Sequence, residues 1–372
     1  MKIGVPTEIK SQENRVAITP AGVHHLAQAH HEIFVQAGAG LGSGISDADY
    51  VEAGATILEQ AADVWGEAEL LIKVKEPIAS EYQYLRQDQV VFTYLHLAAD
   101  KEQTDALLAS KTTSIAYETV QTGSGALPLL SPMSEVAGRM SAIVGANALL
   151  KHFGGKGIQV SGVPGTRPAK AVVIGAGVAG QSAAQMLYGM RADVSIFDVN
   201  LARLAQLDSE FGGHAKTLYS TQYAIAKELE DADIVIGSVL IPGARAPKLV
   251  THEMIVNALP GTVFVDIAVD QGGCFADTHP TTHADPVFAV GESILYAVAN
   301  MPGALPMTST YALTNATLGY ATEIANKGWK QALRDNKPLS RGLSTFDGQL
   351  TSKPVADAWG YQSISIDSVL QG

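Results

Sequence analysis

Residues 172–180 read Val-Val-Ile-Gly-Ala-Gly-Val-Ala-Gly, a β-rich run leading into G-x-G-x-x-G. In such a turn Gly175 permits the tight bend and Gly177 lets backbone approach a pyrophosphate. Gly180 lets the helix opened by Val178 pack close to the strand. Phosphate then lies at the positive end of that helix. The next strand-like run ends at Asp198, eighteen residues past Gly180, where a carboxylate accepts hydrogen bonds from an adenosine ribose diol. Asp198 repels a 2′-phosphate and so points to NAD in preference to NADP. Arg203 either reaches the same pocket or lies on a solvated helix face. A second group of residues stands nearer the amino end: Arg15 in Asn14-Arg15-Val16-Ala17, Lys75 in Lys73-Val74-Lys75-Glu76-Pro77, and His96 in Thr93-Tyr94-Leu95-His96-Leu97. An Arg can grip a carboxylate, a Lys can hold charge and a His can transfer a proton. Lys75 and His96 close two strand-like runs, and ligand sites in parallel sheets gather at the carboxyl ends of strands.

The elements that must hold these residues are legible as alternation. Runs at 2–5, 32–36, 70–75, 89–94 and 113–117 are rich in Val, Ile, Phe and Tyr and read as strands, with helical segments between them. Thr19-Pro20 is a helix start, and that helix is expected to reach about His30. A long helix is expected from near Ser134 to about His152. A second alternating series has strands at 171–174, 193–197, 234–237 and 262–266. Parallel strands need crossover connections, so the chain reads as α/β with two doubly wound, Rossmann-like domains and a cleft between them. The segment 311–327 carries few charges and reads as a helix buried all round, returning to the first domain. The first domain is then discontinuous, 1–133 with 305–372 for substrate and catalysis, and 134–304 binds the nucleotide. Residues 346–349 read as a hairpin turn.

Composition excludes several classes. With 25 Lys plus Arg against 37 Asp plus Glu, the net charge is −12, which leaves no wide basic face for nucleic acid. Apolar runs fall far short of the ~18 to 20 residues of a membrane span. The single Cys274 forms no intramolecular disulfide, and Met-Lys-Ile-Gly-Val-Pro contains no apolar signal core, so a reducing cytoplasm is expected. His24, His25, His30 and His31 cluster without an acidic or Cys companion at ligand spacing and read as a solvated face, so no metal is expected. Cys274 has no base beside it, and the glycines of 38–44 lack the Gly-Lys-Ser/Thr ending of a P-loop.

Together these blocks resemble the bacterial alanine dehydrogenases. The likeness rests on 4–6, 15–22, 73–77, 95–97, 134–139, 265–273, 298–302 and 308–317, and so covers nearly the whole chain. It implies reversible, NAD-dependent oxidative deamination of L-alanine to pyruvate and ammonia by a homohexamer. It also implies Arg15 on the substrate carboxylate, Lys75 near the carboxylate and developing carbonyl oxygen, and His96 as general acid/base. Asp270 across the cleft acts on the amine or the attacking water, Tyr94, Met133 and Met301 form a small apolar pocket, and Asn300 joins the substrate site. On the nucleotide side it adds Ser134, Ser220, Val239, Leu240, Ile267, Asp270, Val298 and Met301. The competing reading is the NAD(H)-binding subunit of a proton-translocating transhydrogenase, which shares the architecture but oxidises no amino acid. A scaffold that binds NAD without catalysis is a third.

Overall fold

The computed structural model of the chain describes residues 1–239 and 246–371. The strands of its first stretch are β1 (Lys2–Val5), β2 (Glu32–Gln36), β3 (Thr56–Leu58), β4 (Leu70–Ile72), β5 (Val90–Thr93) and β6 (Thr113–Ala116). There follow β7 (Lys170–Ile174), β8 (Asp193–Asp198), β9 (Lys216–Tyr219), β10 (Ile234–Gly237), β11 (Val263–Asp266), β12 (Val287–Val290) and β13 (Ser293–Tyr296). Last come β14 (Leu343–Phe346) and β15 (Gln349–Leu350). They form two sheets, ordered β15-β14-β6-β5-β4-β1-β2-β3 and β12-β13-β11-β10-β7-β8-β9. Pairing from β1 to β6 is parallel, as is pairing among β7 to β11 and β13. Antiparallel β14 and β15 end the first sheet on one side and antiparallel β12 ends the second, the opposite edges being the parallel strands β3 and β9. The α/β class with two parallel-dominated sheets is therefore as the sequence indicates. Contacts divide the chain into two compact units, Met1–Met133 with Leu305–Gly372, and Ser134–Ala304.

The central strands are buried on both faces, which is why β4, β5, β10 and β11 read as continuous apolar runs and not as alternation. Each sheet reverses its winding at the first strand of its unit: β1 lies between β4 and β2, and β7 between β10 and β8. Connections leave such strands toward opposite faces and open a crevice at their carboxyl ends. These two crevices receive the residues considered below.

Local differences from the sequence reading have identifiable causes. The run expected to be a strand through Lys75 stops at Ile72, because a side chain takes over its backbone: Glu8 Oε1 accepts the Val74 N–H at 2.6 Å. Thr19 caps Pro20–Gln28 as anticipated, but that helix stops short of His30, which stands at φ +63°. The long helix is Ser131–Ala148, followed by a separate 3₁₀ turn Lys151–Phe153. Pro306–Lys327 is not buried all round. It buries one stripe that includes Thr310, Leu313, Thr317, Ala321 and Ile324, while Met307 and Tyr311 are exposed. Several hydroxyls on that helix bond within it or to its neighbours, so a low count of charges does not mean an apolar surface. The glycine-bearing loop at 38–44 packs on the chain around Asn14: Ser43 Oγ donates to the Asn14 carbonyl at 3.0 Å, and a Cβ on Gly42 would lie 2.7 Å from that residue.

Candidate active site

In the first unit, the segments leaving β1, β4, β5 and β6 carry Arg15, Lys75, His96 and an unanticipated acid, Glu118. Arg15 is 2% exposed. Its Nε donates to Glu13 Oε1 at 2.6 Å, its Nη2 pairs with the other oxygen, and its Nη1 lies 3.1 Å from Met133 Sδ. Burial alone would lower the pKa of this guanidinium, but the Glu13 carboxylate more than offsets that and holds the charge in place. Lys75 is half-buried, and the Thr93 hydroxyl donates to its carbonyl at 3.0 Å.

Beneath Lys75 lies an ion cluster that sequence reasoning missed. Lys73 is 1% exposed and sits 2.9 Å from Glu81 Oε1 and 3.2 Å from Glu8 Oε2. Burial pushes its pKa down, and the two carboxylates outweigh that push, so it stays protonated. Glu8 also accepts the backbone N–H groups of Val74 and Lys75, which fixes the turn carrying Lys75. The neighbouring Glu76 pairs with Lys10. Although burial raises its pKa, Lys75, Lys10 and His96 together hold it below the usual carboxylate range.

His96 is half-buried and stands at φ +51°, an uncommon conformation for a residue bearing a Cβ. Its ring stacks on Tyr94 with centroids 5.9 Å apart and planes 8° from parallel. The Tyr94 hydroxyl donates to the Leu129 carbonyl at 2.6 Å, and burial pushes the phenol well above its ordinary pKa. Tyr94 is therefore a neutral platform for the imidazole stacked on it. Arg15, Tyr94, His96 and Met133 are thus joined by direct contacts through Tyr94 and Met133 or by the field between Arg15 and Tyr94.

In the second unit the glycine loop follows β7. Gly175 has φ +103°, and a Cβ on Gly180 would lie 1.8 Å from the Gly175 carbonyl oxygen, so helix Val178–Gly189 packs against the turn with no room for a side chain. A Cβ on Gly177 would meet nothing within 4 Å. Gly177 also makes no side-chain cap to the helix it precedes, and Val178 is partly exposed. An open glycine before helix N–H groups suits a pyrophosphate, so the residues present fit a dinucleotide. Asp198 Oδ2 accepts the Ala176 N–H at 2.7 Å and its Oδ1 accepts the Asn200 N–H at 2.8 Å. Arg203 Nε donates to the Ala176 carbonyl at 2.7 Å, with Gln206 and Gln181 accepting its other N–H groups. The peptide of Ala176 is therefore clamped from both sides, and Arg203 is a brace of the loop. The half-buried Ser220 donates its N–H to the Asp198 carbonyl at 3.0 Å, and Val239 lies beside Gly175. Leu240 falls outside the described residues.

The turn after β11 is organised by Asp266, a second acid that sequence reasoning left without a role. It is 1% exposed and accepts the N–H groups of Ala268, Cys274 and Phe275 at 3.1, 3.2 and 3.3 Å. A Cβ on Gly273, at φ +72°, would lie 2.4 Å from Asp266 Oδ2. Within this closure lies a 3₁₀ turn on which Asp270 is exposed, and its Oδ2 accepts the Asn300 N–H at 3.4 Å. Asn300 stands at φ +63°, and its carbonyl lies 3.3 Å from His283 Nε2. Ile267 is half-buried, as is Ser134 on the helix Ser131–Ala148, whereas Val298 and Met301 are buried in the core of the unit. Cys274 is buried, its thiol pushed up to about 12 by burial and Asp266, and its S–H faces the Val239 carbonyl at 3.5 Å. It is a packing residue. His31 bonds Asn326 and His24 bonds Gln28. No group of three or more metal-ligating side chains occurs among the described residues, and no described helix is long and apolar enough to cross a membrane.

Glu8 and Glu118 lay within reach of one signal, an acid just past the carboxyl end of a strand, and Asp266 is itself the last residue of β11.

Residues 4–137 match the family "Alanine dehydrogenase/PNT, N-terminal domain" and residues 141–353 match "Alanine dehydrogenase/PNT, C-terminal domain". The chain is 58% identical over 356 residues, 96% of each chain, to an alanine dehydrogenase of Mycolicibacterium smegmatis. It is 55% identical over 370 residues, 100% of each chain, to an alanine dehydrogenase of Mycobacterium tuberculosis. A solved L-alanine dehydrogenase superposes with a TM-score of 0.93 at 46% identity, covering 97% of this chain and 99% of that one. A transhydrogenase from Sinorhizobium meliloti superposes with a TM-score of 0.80 at 27% identity, covering 95% of this chain and 99% of that one. With both halves matched and more than half its residues identical across the full length of such relatives, the chain belongs to the alanine dehydrogenase/PNT family.

Proposed function

We propose that this chain is an L-alanine dehydrogenase, catalysing reversible oxidative deamination of L-alanine to pyruvate and ammonia with NAD. The observation that carries the reading is full-length identity of 55% to an alanine dehydrogenase. Support comes from a cluster of Arg15, Lys75, Tyr94 and His96 at one set of strand ends and a dinucleotide fingerprint with Asp198 at the other. A nicotinamide cofactor supplies the hydride acceptor. The chain's own residues do the rest. Arg15, fixed by Glu13, binds the substrate carboxylate, and Lys75 stands by that carboxylate and the developing carbonyl oxygen. Hydride can leave Cα only as the nitrogen sheds a proton and an iminium forms; water then adds and ammonia leaves. His96 and Asp270 divide these proton transfers, two titratable groups of different type. On family resemblance Tyr94, Met133 and Met301 are assigned to the substrate methyl group, and Asn300 to the substrate. Ser134, Gly175, Gly177, Val178, Gly180, Asp198, Arg203, Ser220, Val239, Leu240, Ile267, Asp270, Val298 and Met301 are assigned to the nucleotide. The assembly assigned on family resemblance is a homohexamer, and a cytoplasmic location accords with the single cysteine.

The transhydrogenase-subunit reading has the weaker support, 27% identity and a TM-score of 0.80 against 46% and 0.93. Asp198 repels a 2′-phosphate and Arg203 is committed to Ala176, Gln181 and Gln206, which favours NAD over NADP. Purified chain supplied with pyruvate and ammonium should oxidise NADH far faster than NADPH at matched concentration. Equal rates would refute the NAD preference, and turnover with neither would refute the dehydrogenase.

A further inference from the structure

We propose that Glu118 is the positioning residue of His96, fixing both its backbone conformation and the ring nitrogen left to meet substrate. This rests on the reading of His96 as the proton-transfer group. Parallel pairing of β5 with β6 puts Thr93 opposite Ala116, so the chain two and three residues beyond Thr93 runs beside the residue two beyond Ala116. There Glu118 Oε1 accepts the His96 N–H at 2.7 Å, and both carboxylate oxygens lie 3.2 Å from the Leu95 nitrogen, which donates to them. Two consecutive N–H groups thus converge on one side chain just where His96 turns left-handed at φ +51°. The carboxylate therefore anchors the backbone from which the His96 side chain projects.

The same oxygen stands 4.0 Å from His96 Nδ1. A carboxylate on that side favours the proton on Nδ1 and leaves Nε2 as the nitrogen that exchanges protons, the arrangement by which an acid orients a catalytic histidine. The Tyr94 ring covers one face of the imidazole, so with the backbone held by Glu118 the ring has little freedom to turn. Glu118 itself touches no reactant in this account. It acts through His96.

The test uses the full chain with Glu118→Gln and Glu118→Ala, each made alone and in a His96→Asn background, with kcat and KM read for reductive amination of pyruvate. Gln keeps an acceptor oxygen but loses the charge, and it carries the test if the Ala variant fails to fold. The expected result is a kcat lower by about 10- to 100-fold for Glu118→Gln, an unchanged KM for NADH, a larger loss for Glu118→Ala, and no further loss from Glu118→Gln once His96 is Asn. An equal fold-loss in both backgrounds would mean that Glu118 supports the fold independently of His96 and would overturn the proposal. So would wild-type kcat in Glu118→Gln alone, with the role of His96 left standing. Wild-type kcat in His96→Asn is a different failure: it removes the proton-transfer reading of His96 and this proposal with it.

Discussion

His96→Asn lowers kcat for pyruvate reduction by about 10²- to 10⁴-fold, the usual cost of deleting a general acid/base, while NADH binding is kept. Asparagine is the informative replacement because His96 stands at φ +51°, a conformation that Asn tolerates better than most residues. The Glu118 bonds to the backbone of residues 95 and 96 do not depend on the imidazole, so the turn survives the change. What is lost is the titratable ring stacked on Tyr94. Two titratable neighbours cannot replace it: the Tyr94 phenol is buried, hydrogen-bonded to Leu129 and held neutral, and Glu76 is committed to Lys10. Steady-state assays with pyruvate, ammonium and NADH check this. Turnover within a few-fold of the parent would remove His96 from the chemistry.

The second large effect separates two glycines of one motif. In Gly180→Ala the new methyl would lie 1.8 Å from the Gly175 carbonyl oxygen and 2.7 Å from Ser238 Oγ, so backbone of the turn must move. Interiors resist such insertion, and the unfolding free energy should drop by about 3 kcal/mol, with nucleotide binding lost alongside. In Gly177→Ala the methyl meets nothing within 4 Å beyond its own chain neighbours, and the backbone at φ −65° accepts alanine. Stability should then change by no more than about 1 kcal/mol, the scale of a helix N-cap exchange, while affinity for NADH falls steeply because the methyl occupies the approach of the pyrophosphate. Chemical denaturation and NADH titration of both variants distinguish the two roles. Equal stability of the two proteins would contradict the packing assignment, and undiminished NADH binding by Gly177→Ala would contradict the pyrophosphate assignment.

Much of the scaffold is legible because its signals are local. Strands β1, β2 and β10 occupy 2–5, 32–36 and 234–237, the bounds expected from residue type; β10 is an apolar run because both its faces are buried, whereas β2 alternates. The turn at Asp347-Gly348, both at positive φ, follows from residue types alone. The edge strands are less legible. Thr56–Leu58 and Lys216–Tyr219 are short, and part of each is solvent-exposed, so their apolar runs are brief. Among the site residues, strand-end position drew attention to Lys75 and His96, but the acids that hold them escaped notice. Glu8 lies 67 residues from Lys75 and Glu118 lies 22 from His96, and pairing over such distances is written in the sheet register and not in spacing along the chain. Arg203 shows the same limit. Its charge suggested a role beside a phosphate, and only the geometry ties it to the Ala176 carbonyl.

The central claim is met most directly by following NADH formation by the purified full chain with NAD and L-alanine, with Lys75→Ala assayed beside it. The account predicts alanine-dependent reduction of NAD by the parent chain and its loss in the variant, whose buried Lys73, Glu8 and Glu81 cluster is untouched. A parent chain that binds NADH yet forms none from alanine would contradict the account and leave a nucleotide-binding protein of transhydrogenase type.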